Sequence, residues 1–356
     1  MIYRKLGTTS LKVSALCLGT MTFGEQNTKK ESFDQMDLAF DKGINFFDTA
    51  EIYPIYPKKK TSGKSEEYIG SWIKKNRNRD KIILATKIAS GHPKGVGATG
   101  LSWIRKGQKY LKFDKKNINT AVNNSLKRLK TDYIDLYQLH WPERNVPVFG
   151  QMDYKYDPKD IYWTPIEEVL GNFDDLIKAG KIRYLGLSNE TPWGVLKFLN
   201  VSRDKKLPRV VSIQNGYSLV NRLFDIANSE VSIRENCGLL AYSPLAGGRL
   251  SGKYSNNMFP KNSRYTLWPK RFSRHHTKRG EIAIDRYLEV AKKYRISPSV
   301  LAHAFVNSRP FVTSNIIGAT NLDQLKEDIS SINYKLSKKI LNDIEEIHLS
   351  DPNPCV

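Results

Sequence analysis

Short apolar runs alternate along this chain with longer stretches in which apolar residues return at helical spacing. The runs read as buried strands at about 15–19, 44–48, 82–86, 134–139, 183–187, 210–214, 239–242 and 314–317. Helical patterns lie between them at 29–42, 64–76, 115–130, 165–180, 191–203, 225–236 and 281–307, the last broken near Pro298, and a further one covers 321–331. Glu66 and Glu67 behind Ser65 place acid in a first turn, where it meets the positive end of the helix dipole, and Asn321 with Asp323 opens the last module. Eight such modules imply parallel strands joined by right-handed helical crossovers. The predicted fold class is therefore α/β, a (β/α)8 barrel. A β-hairpin precedes it at 2–14, turning at Thr8-Thr9-Ser10, and a helical tail follows at 337–348. No Pro/Ser-rich linker or fixed-period repeat divides the chain, so residues 1–356 are expected to form one barrel domain.

Three connections, 90–114, 142–163 and 247–279, are long enough to suggest function rather than mere connection. All follow strands, so a barrel would carry them on the face where the strands end. The third contains KRFSRHHTKRG, read either as a patch closing over phosphate groups or as a solvated loop.

Composition narrows the setting. Hydrophobic residues make up 40% of the chain, enough for a sizeable core. The formal charge of +21 would favour polyanions, yet the basic residues are scattered and no nucleic-acid motif accompanies them. No nucleic-acid partner is expected. No run approaches the roughly 18 apolar residues of a membrane span, and MIYRKLGTTSLKVSALCLGT has charges where a leader peptide needs apolar residues. A cytoplasmic location without membrane contact is expected. Cys17, Cys237 and Cys355 lack metal-ligand spacing; Cys17 and Cys237 read as small core residues, and no metal is expected.

The candidate chemistry sits just after the apolar runs. Asp48 and Tyr53 follow the second, Lys87 the third and His140 the fourth. Reactive groups at successive strand ends are the way a (β/α)8 barrel assembles an active site. A carbonyl reduced by hydride becomes an alkoxide and needs a proton donor. Tyrosine, with a pKa of about 10, keeps its proton at neutral pH, and an adjacent ammonium stabilises its phenolate. A buried ammonium in turn needs a counter-ion. Tyr53, Lys87 and Asp48 supply donor, tuner and counter-ion, and His140 can orient the carbonyl oxygen. Taken singly, each also has a plain structural role, such as a turn cap for Asp48 or a core histidine for His140.

The segments FFDTAEIY, LATK, DYIDLYQLHWP, IRYLGLSNET, VSIQNGYSLVNR, LLAYSPLAGGRLSGKY and SNIIGATNLDQLKEDI, in this order, resemble the aldo-keto reductase family. The resemblance runs from Leu6 to about Ile344 and is nearest in phrasing to its Tas-like bacterial branch. It implies an NADP-dependent oxidoreductase that reduces small or aromatic aldehydes and ketones, with NADH the less favoured cofactor. It makes Tyr53 the general acid, Lys87 and Asp48 its supports, and His140 the carbonyl-orienting residue. Ser188, Asn189 and Gln214 match positions that hold the nicotinamide carboxamide, and Tyr242 matches the aromatic stacked on its ring. Thr20 and Met21 match the strand end beneath the cofactor, with Gln26 a further contact. Ser243, Pro244, Leu245 and Gly247, with Lys253, match the pyrophosphate turn; Gly318, Thr320, Gln324, Glu327 and Asp328 match the adenosine end. Departures occur there: Gly318 and Gln324 stand where many relatives carry Lys and Arg, and Asp328 replaces a common Asn. No GxGxxG follows the first strand, which disfavours a Rossmann site. A redox-sensing or regulatory subunit that binds NADPH and turns over slowly is the alternative. Four tryptophans, Trp103, Trp141, Trp163 and Trp268, are expected to line an apolar pocket or to anchor the long loops.

Overall fold

The computed structural model describes residues 1–90, 103–106, 110–269 and 273–356. The chain opens with the expected hairpin, β1 (Tyr3–Lys5) paired antiparallel with β2 (Lys12–Ser14). Leu6 and Val13 from this hairpin are wholly buried and pack with Cys17, Phe46 and Leu136 inside the barrel, so the hairpin stoppers one end. The turn depends on Gly7. Its φ is +53°, and a Cβ there would clash with Val211 O and lie 2.9 Å from Asn236 O. Gly7→Ala is expected to destabilise the fold by about 2–3 kcal/mol, read as a lower urea midpoint at unchanged m-value.

Eight parallel strands then close a barrel in the order β10-β3-β4-β5-β6-β7-β8-β9. They are β3 (Leu16–Gly19), β4 (Phe46–Asp48), β5 (Ile83–Ile88), β6 (Ile134–Leu139), β7 (Ile182–Ser188), β8 (Val210–Gly216), β9 (Gly238–Tyr242) and β10 (Val312–Ile317). The helices are α1 (Lys29–Asp41), α2 (Lys64–Asn76), α3 (Lys115–Leu129), α4 (Ile166–Lys178), α5 (Pro192–Lys205), α6 (Leu223–Ile226), α7 (Asn228–Arg234), α8 (Arg264–Leu267), α9 (Lys278–Lys293), α10 (Pro298–Asn307), α11 (Leu322–Ser330) and α12 (Lys338–Ser350). Every residue of β4, β5, β6 and β10 is buried, because helices cover one sheet face and side chains fill the lumen behind the other. That two-sided burial is why the strands read as continuous apolar runs.

Local sequence accounts for the helix ends. Thr28 and Glu31 form a reciprocal capping box on α1, and Asp114, Thr191, Thr277, Asn321 and Ser337 accept backbone N–H bonds at five further starts. The single helix expected at 225–236 is instead α6 and α7, broken where Ala227 leaves helical geometry at φ −138°. Pro298 opens α10 in its first turn, as the break in the long helical pattern anticipates. All three cysteines are free and buried. Cys355 is covered because the tail after α12 folds back: its N–H donates to Val220 O at 3.1 Å, and Asn353 Oδ1 accepts from Arg222 N at 2.6 Å. Among the described residues, no helix is long and apolar enough to cross a membrane.

Candidate active site

In a parallel barrel, alternate residues of each strand point into the lumen, and neighbouring strands interleave them in layers. Pairing sets Lys87 beside Gln138, Gln138 beside Gly186 and Ser188 beside Gln214. The lower lumen is apolar, with Cys17, Phe46, Ile83, Ala85, Leu136 and Leu240. Above them the polar groups meet. Lys87 is fully buried, and its Nζ donates to Asp48 Oδ2 at 2.5 Å and to Thr49 O at 2.8 Å. Asp48 Oδ1 accepts from Gln138 Nε2 at 3.1 Å and Gln214 Nε2 at 2.9 Å. A buried ion pair persists only when its remaining hydrogen-bonding capacity is met, and here glutamines meet it. Burial works against the Lys87 ammonium, but Asp48 and Tyr53 together outweigh it and hold its pKa above 10.5.

Tyr53 lies over this pair, with Lys87 Nζ 4.9 Å from its ring centroid. Burial raises the phenol pKa above 10.0; Lys87 pulls it down and Asp48 pushes it up. The ammonium therefore tempers desolvation without overcoming it, and Tyr53 keeps its proton through the physiological range. His140 stands edge-on to Tyr53 at 5.7 Å between ring centroids. Burial, with the Lys87 charge behind it, drives the imidazole pKa well below 6.5. His140 is thus neutral at pH 7, with one ring N–H to donate. With Tyr53 as the expected donor, its raised pKa predicts carbonyl reduction that is level through neutral pH and falls only above about pH 10, the tyrosine reference value. A pH profile of kcat/KM measures this, and an alkaline limb near pH 8 would assign the proton elsewhere.

The residues matched to a nicotinamide seat converge at the same mouth. Asn189, at φ +55°, donates from Nδ2 to His140 O at 2.8 Å and accepts from Tyr242 OH at 2.6 Å. Ser188 Oγ donates to Gln214 O at 2.8 Å. Thr20 Oγ1 donates to Asp48 O at 2.9 Å, while Met21 packs against the apolar cluster around Tyr53. After β9 the backbone from Ser243 through Pro244 and Leu245 winds through left-handed conformations at Ser243, Ala246, Gly247 and Gly248. Lys253 folds over this turn, its Cε 2.9 Å from where a Gly248 Cβ would stand. Burial and then Arg264 lower the Lys253 pKa, and burial lowers that of Arg264. Burial and a neighbouring positive charge both work against the Lys253 ammonium, and an anion at this turn would relieve both.

The adenosine-end residues divide. Gly318 is exposed, and nothing but Gly19 O approaches within 4 Å of a Cβ there. Gln324 Oε1 accepts from Thr320 N and Oγ1, both at 3.0 Å. Glu327 instead turns outward to accept from Ser297 Oγ at 2.5 Å. Asp328 is buried beside His303, with 3.1 Å between Oδ1 and Nε2.

Two of the long loops meet over the mouth. The Arg274 guanidinium, from 247–279, lies 5.1 Å from the Phe149 ring of 142–163 and 5.9 Å from that of Tyr242. Gln26 Nε2 reaches the same loop at Asn262 O, 3.1 Å away. Most of 90–114, and Lys270, Arg271 and Phe272 of the basic patch, lie outside the described residues. Trp103 and Trp141 pack in the apolar cluster around Tyr53, whereas Trp163 packs against the main core. Sequence reasoning missed Gln138, whose signal was a lone amide in an apolar strand, two positions before His140 and so on the same face. It also missed Arg264, for which no pattern in the chain stands out.

Comparisons agree with this geometry. The profile of the Aldo/keto reductase family matches residues 15–349. Protein tas of Escherichia coli K12 is 43% identical over 351 residues, covering 98% of each chain. The uncharacterized oxidoreductase YrpG of Bacillus subtilis is 32% identical over 348 residues, 98% of this chain and 96% of its own. Norsolorinic acid reductase B of Dothistroma septosporum is 28% identical over 363 residues, 99% of this chain and 82% of its own. A closed parallel barrel, a buried Asp48–Lys87 pair under Tyr53 and this nearly full-length match lead to one conclusion: the chain belongs to the aldo/keto reductase family and is an oxidoreductase.

Proposed function

We propose that this protein reduces aldehydes and ketones to alcohols using NADPH, with Tyr53 as the proton donor. One observation carries the reading: the Tyr53 ring lies 4.9 Å from Lys87 Nζ, Lys87 is paired with Asp48, and His140 stands edge-on beside Tyr53. NADPH, when bound, supplies the hydride. Ser188, Asn189 and Gln214 would hold its carboxamide, Tyr242 its ring and Lys253 with Arg264 its phosphates. The Lys253 ammonium folded over the glycine turn supports a phosphorylated cofactor, and Gly318 leaves room at the adenosine end.

In this reading the chain handles the proton. His140 donates its ring N–H to the carbonyl oxygen and fixes its direction. Tyr53 delivers its proton to that oxygen as negative charge develops. Lys87 stabilises the phenolate left behind, and Asp48 keeps Lys87 charged. Trp103 and Trp141 exclude water from the apolar side of Tyr53. The apolar cluster favours carbonyl compounds with small or aromatic substituents.

The test is to titrate the protein with NADPH and NADH, then follow loss of the reduced-nicotinamide absorbance with a panel of aldehydes and ketones. Tight NADPH binding with turnover supports the reading. Tight binding without turnover on any carbonyl would instead favour a redox-sensing subunit.

A further inference from the structure

Gln138 is a polar group of the lumen that the mechanism above leaves unused. It is fully buried on β6, as the direct register partner of Lys87 on β5. Its Nε2 donates to Asp48 Oδ1 at 3.1 Å, and its Oε1 accepts from Gln214 Nε2 at 3.2 Å. Gln214 Nε2 also donates to Asp48 Oδ1 at 2.9 Å. The amide orientations follow from chemistry, because a carboxylate only accepts and each amide facing it must present its NH2. Both protons of the Gln214 NH2 are thereby committed inside the barrel, and its carbonyl is left for the mouth.

The neighbouring strand makes room for this arrangement. Gly186 is the register partner of Gln138, and a Cβ there would lie 3.1 Å from Gln138 Cγ and 2.7 Å from Ser212 Oγ. A side chain on Gly186 would clash with Ser212 and crowd Gln138 on its path across the lumen. The placement also matters electrically. Asp48 and Lys87 act on Tyr53 in opposite senses, so a neutral donor on Asp48 weakens the member of the pair that resists ionisation of the phenol.

We propose that Gln138 is a positioning residue that links the proton-donating centre to the nicotinamide seat. Through Asp48 Oδ1 it disperses the charge facing Lys87 and Tyr53. Through Gln214 it fixes which end of that amide meets the cofactor. The proposal rests on the reductase reading above. Its consequence is that cofactor affinity and proton transfer respond together to one buried amide that touches neither reactant.

Gln138→Leu keeps volume and burial while removing both hydrogen bonds. Without the donor, Asp48 opposes the Tyr53 phenolate more strongly. The pH limb of NADP-dependent alcohol oxidation, where Tyr53 must be ionised, is expected to move up by about one unit. NADPH binding, followed by quenching of protein fluorescence, is expected to weaken about three- to tenfold as Gln214 loses its fixed orientation. Gln138→Glu serves as the rescue. At pH 7, beside Asp48, the new carboxyl holds its proton, so it still donates to Asp48 and accepts from Gln214, and NADPH affinity at that pH should return close to wild type. A wild-type limb and NADPH affinity in a folded Gln138→Leu protein would overturn the proposal and leave the reductase reading standing. So would a Gln138→Glu variant whose NADPH affinity at pH 7 is no better than that of Gln138→Leu. A wild-type protein that binds NADPH but reduces no carbonyl would overturn both.

Discussion

Tyr53→Phe is expected to lower carbonyl reduction by about two to four orders of magnitude, the usual weight of a positioned general acid. The ring remains, so the apolar packing against Trp141 and Ile52 survives, and only the transferable proton is lost. Lys87 keeps Asp48 and the Thr49 carbonyl as partners, so the pair beneath is not orphaned. NADPH affinity should therefore stay within about twofold of wild type, since the lost interaction serves the transition state rather than binding. Single-turnover reduction and fluorescence titration on the same preparation separate the two effects. A Tyr53→Phe protein that reduces aldehydes at the wild-type rate would remove Tyr53 from the mechanism.

The second large effect concerns Lys87 and is felt in stability as well as activity. Lys87→Met removes the cation and leaves the Asp48 carboxylate buried without a counter-charge. Breaking one side of a buried pair costs about 3–5 kcal/mol, a large part of the 5–15 kcal/mol that typically holds a domain together. Reduction should fall with it, because nothing then stabilises the Tyr53 phenolate. Adding Asp48→Asn should restore much of the urea midpoint, since the uncompensated charge is gone, but not the turnover. In the wild type, the raised Lys87 pKa places this stabilisation fully below pH 10.5, and it is lost only as pH climbs through the higher folded-state value. The pair therefore contributes across the whole neutral range. If Lys87→Met unfolded at the wild-type urea concentration, the pair would be electrostatically unimportant to the fold.

Much of this architecture was legible from the chain because burial on both faces makes parallel strands read as apolar runs. The strand from 134 to 139 and the helix from 64 to 76 fall where their patterns put them. The segment 225–236 was read as one helix because apolar spacing continues through it, and spacing carries no record of the backbone turn at Ala227. Tyr53, Lys87, Asp48 and His140 stood out as polar residues at strand ends. The outward turn of Glu327 toward Ser297 and the burial of Asp328 against His303 did not, since both depend on how α11 packs on α10.

The sequence by itself determined the alternation of strand and helix, the hairpin before them and the identities of the candidate site side chains. Those are local properties, set by residue type, spacing and capping. Only the tertiary structure decided the electrostatics. Tyr53 and Lys87 each carry opposing influences from burial and from charged neighbours, and their balance depends on closing residues from β4, β5, β6 and β8 around one lumen. The net rise of the Tyr53 pKa, despite an ammonium beneath its ring, follows from that closure. So does the meeting of Gln138 with Asp48, ninety positions apart in the chain and 3.1 Å apart in the barrel.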